Sequence, residues 1–324
     1  MQIEGPIVDI AEIKRTLDEA RCANGVARTT MMNLLVFCDD PEHEEWIAQR
    51  VEGIAKKYPA RIILLDGTSL GDATTAILQP ATEAGTHSEI VRFGIRDCAP
   101  QVVRSLLDAL CIPDVPEVLW WNGSTVGIER LFEELARYAT PAILDSSGNS
   151  FGDESLRELL DLSDALGDRP PIDLAYLRIQ PVQELLATLF DNASHRAHLT
   201  GIDRVHIEAG SIAEALYLAA WLSRVLAKEF VGDALAIVRD GEPRRVTRCL
   251  LQGGSDVYDI AIDESAHCAN VTISEGTTQT VESLPFSPLD TMSLVEKALL
   301  AQRIEPHFQE LLQSVERLRS EVAW

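Results

Sequence analysis

Apolar residues in the first third of the chain follow two spacings. In the stretches 10–17 and 41–58 they recur every three or four residues, which indicates amphipathic helices. The stretches 30–38 and 61–65 are short, nearly continuous apolar runs of the kind that form buried strands. This strand–helix–strand order favours a parallel sheet with helices on its faces.

The pattern continues to about residue 166. Two extended segments, 74–79 and 89–95, are separated by Pro80 and Gly85 and are predicted to pair as a hairpin, which makes the sheet mixed. Helical patterns over 98–110, 126–138 and 153–166 alternate with strand patterns over 115–121 and 142–145. We therefore predict a Rossmann-like α/β domain over residues 1–168.

The segment from Gly167 to Pro171 is the predicted domain boundary, because a proline pair ends a helix. Beyond it we predict an extended segment at 172–179, helices at 181–191 and 211–227 with Ser211 as cap, and a strand at 204–208. Five short strands between 234 and 282 read as an antiparallel meander, and 289–324 is helical with a break near Pro306. The predicted second domain, 172–324, is thus α+β, with an antiparallel sheet and C-terminal helices.

Charge narrows the set of partners. The chain has 324 residues, of which 46% are hydrophobic, and a formal net charge of −23, so we expect neither nucleic acid nor an anionic membrane as a partner. Residues 1–6 do not resemble a secretory signal, and no apolar run is as long as a membrane span, so we expect a cytoplasmic protein.

The cysteines have no spacing typical of a zinc site. We expect buried, reduced thiols, with a redox-switch pair as the alternative. The residues concerned are Cys22, Cys38, Cys98, Cys111, Cys249 and Cys268.

Sequence motifs for catalysis are absent. The glycine pairs at 67–71 and 148–152 have neither the spacing of a dinucleotide loop nor the lysine of a Walker loop, so turn glycines are the better interpretation. His195 and His198 follow Asp191 at helical spacing, but solvated side chains explain them better than a metal site does. The acids at Asp39 and Asp40 are explained as charges at a helix start.

Trp120 and Trp121 are neighbours on a predicted strand and so point to opposite faces of the sheet. Both are core residues if helices cover both faces. In an edge strand, one of them would instead be an exposed anchor for a partner.

Two segments carry a resemblance to a known family. They are the stretch 118–123, which contains the tryptophan pair, and the stretch 173–191, which reads DLAYLRIQPVQELLATLFD. With Tyr58 to Arg61 and the helix containing Trp221, they resemble the OpcA family of glucose-6-phosphate dehydrogenase assembly proteins. The resemblance runs over most of the chain.

The resemblance implies a non-catalytic effector that binds and activates glucose-6-phosphate dehydrogenase, the enzyme that opens the oxidative pentose phosphate pathway. It implies no catalytic residue, cofactor or metal. We predict Trp120, Trp121, Tyr176 and Arg178 as partner-interface residues, because aromatic and arginine side chains are enriched at such contacts. Arg178 has an alternative role in an internal ion pair with Asp173 or Asp191. Self-association stays open.

Two other functions are considered. An enzyme for a nucleotide or sugar phosphate would use Asp145, the 148–152 loop and His195 or His198 in a cleft between the domains. A structural subunit would bind the dehydrogenase and leave its kinetics unchanged. Intrinsic turnover without a partner separates the first of these from the effector.

Overall fold

The fold is described from a computed structural model. It covers residues 2–6, 10–24, 30–69, 73–79, 88–148, 152–167, 169, 171–240, 245–301 and 307–321, with some side chains in residues 2–79 left out. All structural statements below refer to these residues.

The strands in chain order are β1 Gln2–Pro6, β2 Met32–Cys38, β3 Ala60–Asp66, β4 Ala73–Gln79, β5 Ser88–Gly94, β6 Glu117–Asn122, β7 Ala142–Leu144, β8 Ile172–Asp173, β9 Arg204–Ala209, β10 Leu235–Arg239, β11 Val246–Gly253, β12 Asp256–Asp263, β13 Cys268–Glu275 and β14 Thr278–Pro285. The helices are α1 Ile10–Asn24, α2 Pro41–Lys57, α3 Pro100–Leu110, α4 Glu129–Ala136, α5 Glu154–Leu166, α6 Leu174–Asp191, α7 Ala193–Arg196, α8 Ile212–Leu226, α9 Thr291–Leu300 and α10 Phe308–Glu321.

The first sheet confirms the predicted fold class. Its described strands lie in the order β1-β4-β5-β3-β2-β6-β7-β8. The strands β5, β3, β2, β6 and β7 run parallel, and β4 and β5 form the predicted antiparallel hairpin pair. Every residue of β2 and β3 is buried, as expected for central strands with helices on both faces. The apolar pattern does not predict strand β1, because its five residues include Gly5 and Pro6 and do not alternate as in a strand.

The tryptophan pair is part of the core of the first unit. Trp121 stacks on Phe37 of β2, with ring centroids 3.7 Å apart, and meets the edge of Phe132 in α4. Trp120 points to the opposite face, where its ring lies 6.5 Å from that of Trp46 in α2. Each tryptophan is 1% exposed, so both faces of β6 are covered.

The second sheet has the described order β10-β9-β11-β12-β13-β14. From β11 to β14 it is the predicted antiparallel meander. Strand β10 differs from the prediction, because it pairs parallel to β9 after the crossover helix α8. Helix α8 packs on β9 and β10, and its residues from Ile212 to Ala220 are all buried.

The predicted extended segment at 172–179 is wrong beyond Asp173. Helix α6 begins at Leu174, and the Asp173 side chain caps it by accepting a hydrogen bond from the Ala175 N–H at 3.0 Å. Pro181 lies inside the helix, although its ring removes the hydrogen bond to the Leu177 carbonyl. Apolar burial on nearly every side of α6 outweighs this local cost, and tertiary packing commonly overrides propensity in this way.

The chain forms two compact units. The first takes Met1–Leu144 and Leu162–Ile172, and the second takes Asp145–Asp161 and Asp173–Trp324. The predicted domains had one boundary near 168–172, whereas residues 145–161 group with the second unit. Two ion pairs within that unit account for this: Asp145 with Arg178 of α6, and Asp153 with Arg319 of α10.

The buried Asn33 side chain gives a test of the first unit. Its Oδ1 accepts from the Ile112 N–H at 2.8 Å, and its Nδ2 donates to the Ile112 carbonyl at 2.9 Å. Substituting Asn33→Leu leaves both backbone groups unpaired, so the free energy of unfolding should fall by about 2 to 4 kcal/mol. Urea unfolding followed by circular dichroism measures this, with the exposed Asn270→Leu as control, expected within about 0.5 kcal/mol of wild type. Equal losses of unfolding free energy in Asn33→Leu and Asn270→Leu would contradict the stabilising role of the Asn33 hydrogen bonds.

Candidate functional site: a buried polar cluster in the second unit

Three chain segments bring polar side chains together inside the second unit. They are the turn after β7 with Asp145 to Ser147, the cap and first two turns of α6 with Asp173 and Arg178, and the start of α8 with Glu214 and Tyr217. We call this set the Arg178 cluster. Its members lie where β7 ends and where α6 and α8 begin. Polar side chains are common at such strand ends and helix starts, because they can hydrogen-bond to unpaired backbone groups there.

Arg178 is the cation of the cluster. Its guanidinium donates to Asp145 Oδ2 at 2.9 Å, to Glu214 Oε1 at 2.7 Å and to Ser147 Oγ at 2.6 Å. Burial opposes the charge, but Asp145 and Glu214 outweigh it and raise the pKa of Arg178 above its ordinary value. Arg178 therefore forms the internal ion pair that we considered, but its partners are Asp145 and Glu214, since Asp173 caps α6 and Asp191 pairs with Arg196.

Glu214 is the more deeply buried of the two carboxylates. Burial raises its pKa from 4.5 to about 7, although Arg178 and the Ser147 hydroxyl, which donates to Glu214 at 2.9 Å, favour the charged form. Asp145 acts with burial, because one guanidinium does not neutralise two carboxylates. Glu214 therefore takes up a proton when the pH falls through about 7.

Asp173 holds the other half of the cluster. Its carboxylate accepts from the backbone N–H of Ser146 and of Ala175, each at 3.0 Å, and from the Tyr217 hydroxyl at 2.8 Å. Burial and the nearby Asp145 raise the pKa of Asp173, and burial likewise raises that of Tyr217. Ser211, predicted as a helix cap, stands at the cap position of α8, but its hydroxyl donates to the Ser147 carbonyl instead.

The four residues predicted as a partner interface are all removed from solvent or nearly so. Trp120 and Trp121 are core residues of the first unit. Tyr176 packs against Tyr217 and Phe308, with ring centroids 5.5 and 5.1 Å away, and Arg178 is held by its carboxylates. These are packing roles within the chain. Contact with a partner stays a prediction.

The residues of the rival enzyme hypothesis are held by different partners. Asp145 belongs to the Arg178 cluster, whereas His195 Nδ1 lies 3.1 Å from the Leu189 carbonyl and His198 Nδ1 lies 2.6 Å from Asp256 Oδ2. The hydrogen bond to Asp256 raises the pKa of His198. Residues 149–151 of the glycine loop lie outside the described residues. No group of three metal-ligating side chains occurs among the residues described.

One acidic side chain has a role that the sequence did not reveal. Asp39 follows β2, the central parallel strand, and its carboxylate lies against Gly123, which follows β6. A Cβ on Gly123 would be 2.2 Å from Asp39 Oδ1, so only glycine fits there without a shift. Folds of this type bind the diphosphate of a nucleotide in the crevice between two such strand ends, at the point where the strand order reverses. In this chain that position holds a carboxylate.

The five described cysteines, Cys38, Cys98, Cys111, Cys249 and Cys268, are free thiols. Burial raises the pKa of Cys111 and of Cys249 to about 12 in each case, which makes them poor nucleophiles. The side chain of Cys22 lies outside the described residues. Among the helices that the structure describes, none combines the length and apolarity needed to cross a bilayer.

The pKa of Glu214 predicts how stability depends on pH. The folded chain binds this proton more tightly than the unfolded chain, so the contribution of Glu214 is full below about pH 4.5 and is lost as the pH rises through about 7. In Glu214→Gln, the free energy of unfolding should fall less steeply over this interval, by up to about 1.4 kcal/mol per pH unit. Urea unfolding at a series of pH values measures the slope. The exposed Glu229→Gln should keep the wild-type slope, and a Glu214→Gln slope equal to it would refute the shift.

Removing Arg178 tests the ion pairs directly. In Arg178→Met the buried Glu214 and the half-buried Asp145 lose their cation, so the free energy of unfolding should fall by about 3 to 5 kcal/mol. The matched control is Arg317→Met, because Arg317 forms an exposed pair with Glu229 and should contribute less than about 1 kcal/mol. Similar losses in the two variants would mean that the buried cluster does not stabilise the second unit.

Comparison with solved structures gives the fold. The 3-ketoreductase KijD10 from Actinomadura kijaniata, solved with NADP and TDP-benzene, superposes with a TM-score of 0.51 at 11% identity, over 90% of this chain and 98% of that one. The oxidoreductase yvaA from Bacillus subtilis also gives 0.51, at 6% identity, over 90% and 95% of the two chains. At such identities the likeness concerns the fold alone.

Comparison with sequences gives the family. Residues 51–163 match a model described as the glucose-6-phosphate dehydrogenase subunit N-terminal domain, and residues 169–312 match the corresponding C-terminal domain. The OxPP cycle protein OpcA of Synechocystis is 31% identical over 213 residues, 64% of this chain, and that of Nostoc punctiforme is 33% identical over 144 residues, 44% of this chain. The matches cover 39% and 28% of those relatives' own lengths. The two family models together span most of the chain, which therefore belongs to the OpcA family, as the tryptophan pair and the 173–191 motif indicated.

Proposed function

We propose that this chain is a non-catalytic, cytoplasmic effector that binds glucose-6-phosphate dehydrogenase and promotes its assembly or its more active state. The observation that carries the proposal is the match of residues 51–163 and 169–312 to the two domains described as a glucose-6-phosphate dehydrogenase subunit. The curated relatives are described as OxPP cycle proteins, which supports a role in the same pathway.

The crevice at Asp39 supports the non-catalytic part of the proposal. A dinucleotide site on this fold uses glycines and a helix N-terminus to receive a diphosphate, and a carboxylate at that place repels one. Asp66 ends the neighbouring strand β3, where a dinucleotide fold places the acid that binds the ribose. In this chain the Asp66 carboxylate is held by Arg92 and Thr68, which lower its pKa to about 2 despite its burial. We therefore propose that the likeness to KijD10, which was solved with NADP, is one of fold and not of site.

The Arg178 cluster supports the same conclusion. The three groups that receive the Arg178 donors are Asp145, Ser147 and Glu214, all from the chain itself. A binding site for a sugar phosphate would direct such donors to the ligand. An effector needs a rigid fold that presents its surface. We propose that Trp120, Trp121, Tyr176 and Arg178 contribute to partner binding by fixing the elements that carry this surface.

The effect on the dehydrogenase has a thermodynamic form. A protein effector shifts the population of its partner towards the state that it binds better. If that state has the higher affinity for glucose 6-phosphate, linkage requires glucose 6-phosphate to tighten the complex by the same factor by which the chain raises substrate affinity. A subunit without regulatory effect would bind equally well with and without substrate.

The kinetic prediction is measured with the dehydrogenase of the same organism. Adding this chain should lower the KM for glucose 6-phosphate or raise kcat, and the effect should saturate with chain concentration. A coupling of about 5- to 150-fold is the usual range for two linked sites. The affinity between the two proteins, measured by titration calorimetry with and without glucose 6-phosphate, should change by the same factor as any change in substrate affinity.

The rival enzyme is tested on the chain alone. Saturating NADP or glucose 6-phosphate should leave the melting temperature of the isolated chain unchanged, because neither has a site there. Stabilisation by NADP, together with turnover in the absence of the dehydrogenase, would reject the effector proposal in favour of an oxidoreductase. Unchanged kinetics and no complex on size-exclusion chromatography would also reject the effector.

A further inference from the structure

The second sheet has two very different faces. Along β9 to β13, every second side chain is buried against the helices, as in Ile207, Cys249, Ile260 and Val271. The intervening side chains form what we call the outer face. Its central row across five strands consists of His206, Leu250, Asp259, Thr272 and Val281.

Among the residues that the structure describes, none covers the outer face across its width. Val281 at one edge is 69% exposed, and Val238 at the other edge is 45% exposed. The residues between them, including Leu250 and Ala261, are half-buried or exposed. Apolar positions thus occur in the middle of the face and at both edges, separated by polar residues such as Thr272 and Asp259. Such a mixture is typical of interfaces, whose overall apolarity resembles that of the remaining surface.

The charged side chains at the centre of the outer face are paired with one another, with two carboxylates sharing one arginine. Arg248 donates to both carboxylate oxygens of Asp259, at 2.7 and 2.6 Å, and to Glu208 Oε1 at 3.1 Å. His206 Nε2 lies 3.1 Å from the same Glu208 oxygen. The chain as a whole carries −23, so two copies repel each other over most of their surfaces. A face on which acids are paired with an arginine lets two copies approach at low electrostatic cost.

The area of the face also suits a dimer. Six strands about 4.8 Å apart, with up to eight residues at about 3.3 Å per residue, give about 700 Å². A stable interface buries about 800 Å² per partner, so the face alone nearly supplies it. Two sheets pack face to face about 10 Å apart, which leaves room for side chains of this size.

We infer that the outer face of the second sheet packs against the outer face of a second copy of this chain, in a two-fold dimer. In such a contact the same patch faces itself, and Leu250 and Ala261 lie near its centre. The inference concerns the chain alone and does not depend on the proposed activation of the dehydrogenase.

Sedimentation equilibrium of the full chain tests the dimer. We expect twice the 35.6 kDa chain mass at micromolar concentrations. Substituting Leu250→Glu places two carboxylates opposite each other in the interface, which should weaken the dimer at least about 100-fold because like charges in contact cost several kcal/mol. Ala261→Glu changes an exposed position of the same face and should have the same effect without disturbing the core. The control is Val225→Glu, a 57% exposed valine of α8, which should leave the dimer intact.

Three outcomes would overturn the inference. The first is a wild-type chain that sediments at the single-chain mass throughout the micromolar range. The second is a dimer that persists in both Leu250→Glu and Ala261→Glu when circular dichroism shows these variants folded. The third is a monomeric wild type whose complex with the dehydrogenase is lost in Leu250→Glu, since the face would then bind that enzyme. Because the first two results are obtained without the dehydrogenase, they leave the effector proposal untouched.

Discussion

The pairing of the largely buried Arg178 with the buried Glu214 and the half-buried Asp145 determines the organisation of the second unit. Asp145 lies 33 residues before Arg178 and Glu214 lies 36 residues after it, so the ion pairs fasten three distant segments at one point. Removing an arginine and two carboxylates from water is costly, and apolar residues of similar volume are often at least as stabilising. Part of what the cluster achieves is therefore specificity. Asp145 and Glu214 have a buried cation to pair with only when α6, α8 and the turn after β7 meet in this arrangement.

The same constraint explains the division of the chain. The sequence predicts one domain boundary, at Gly167 to Pro171, because glycine and proline interrupt the helical pattern there. In the structure the division between the two units falls elsewhere, since Asp145 and Asp153 form ion pairs with residues of α6 and α10. Breakers of local structure mark where elements end. They do not show with which neighbours a segment packs.

Much of the fold could nevertheless be read from the sequence. The parallel strands, the β4–β5 hairpin and the meander from β11 to β14 follow from apolar spacing and turn residues. The start of α6 could not, because the run from Ile172 to Ile179 is mostly apolar without a helical polar face, and Pro181 argues against a helix. The Arg178 cluster left one signal, namely single charged residues within otherwise apolar helices at Arg178 and Glu214. Such residues must find buried partners, although the sequence does not say which.

The positions of the polar groups agree with the proposed function of a non-catalytic effector. A catalytic site keeps donors, acceptors or titratable groups directed at the place where a substrate binds. In this chain Arg178 is directed at Asp145, Ser147 and Glu214, Asp173 at backbone N–H groups and Tyr217, and Asp39 at the crevice where this fold otherwise receives phosphate. The polar groups of the Arg178 cluster thus bind one another within the chain. This arrangement agrees with the proposed effector function, in which the exterior of the chain contacts the dehydrogenase.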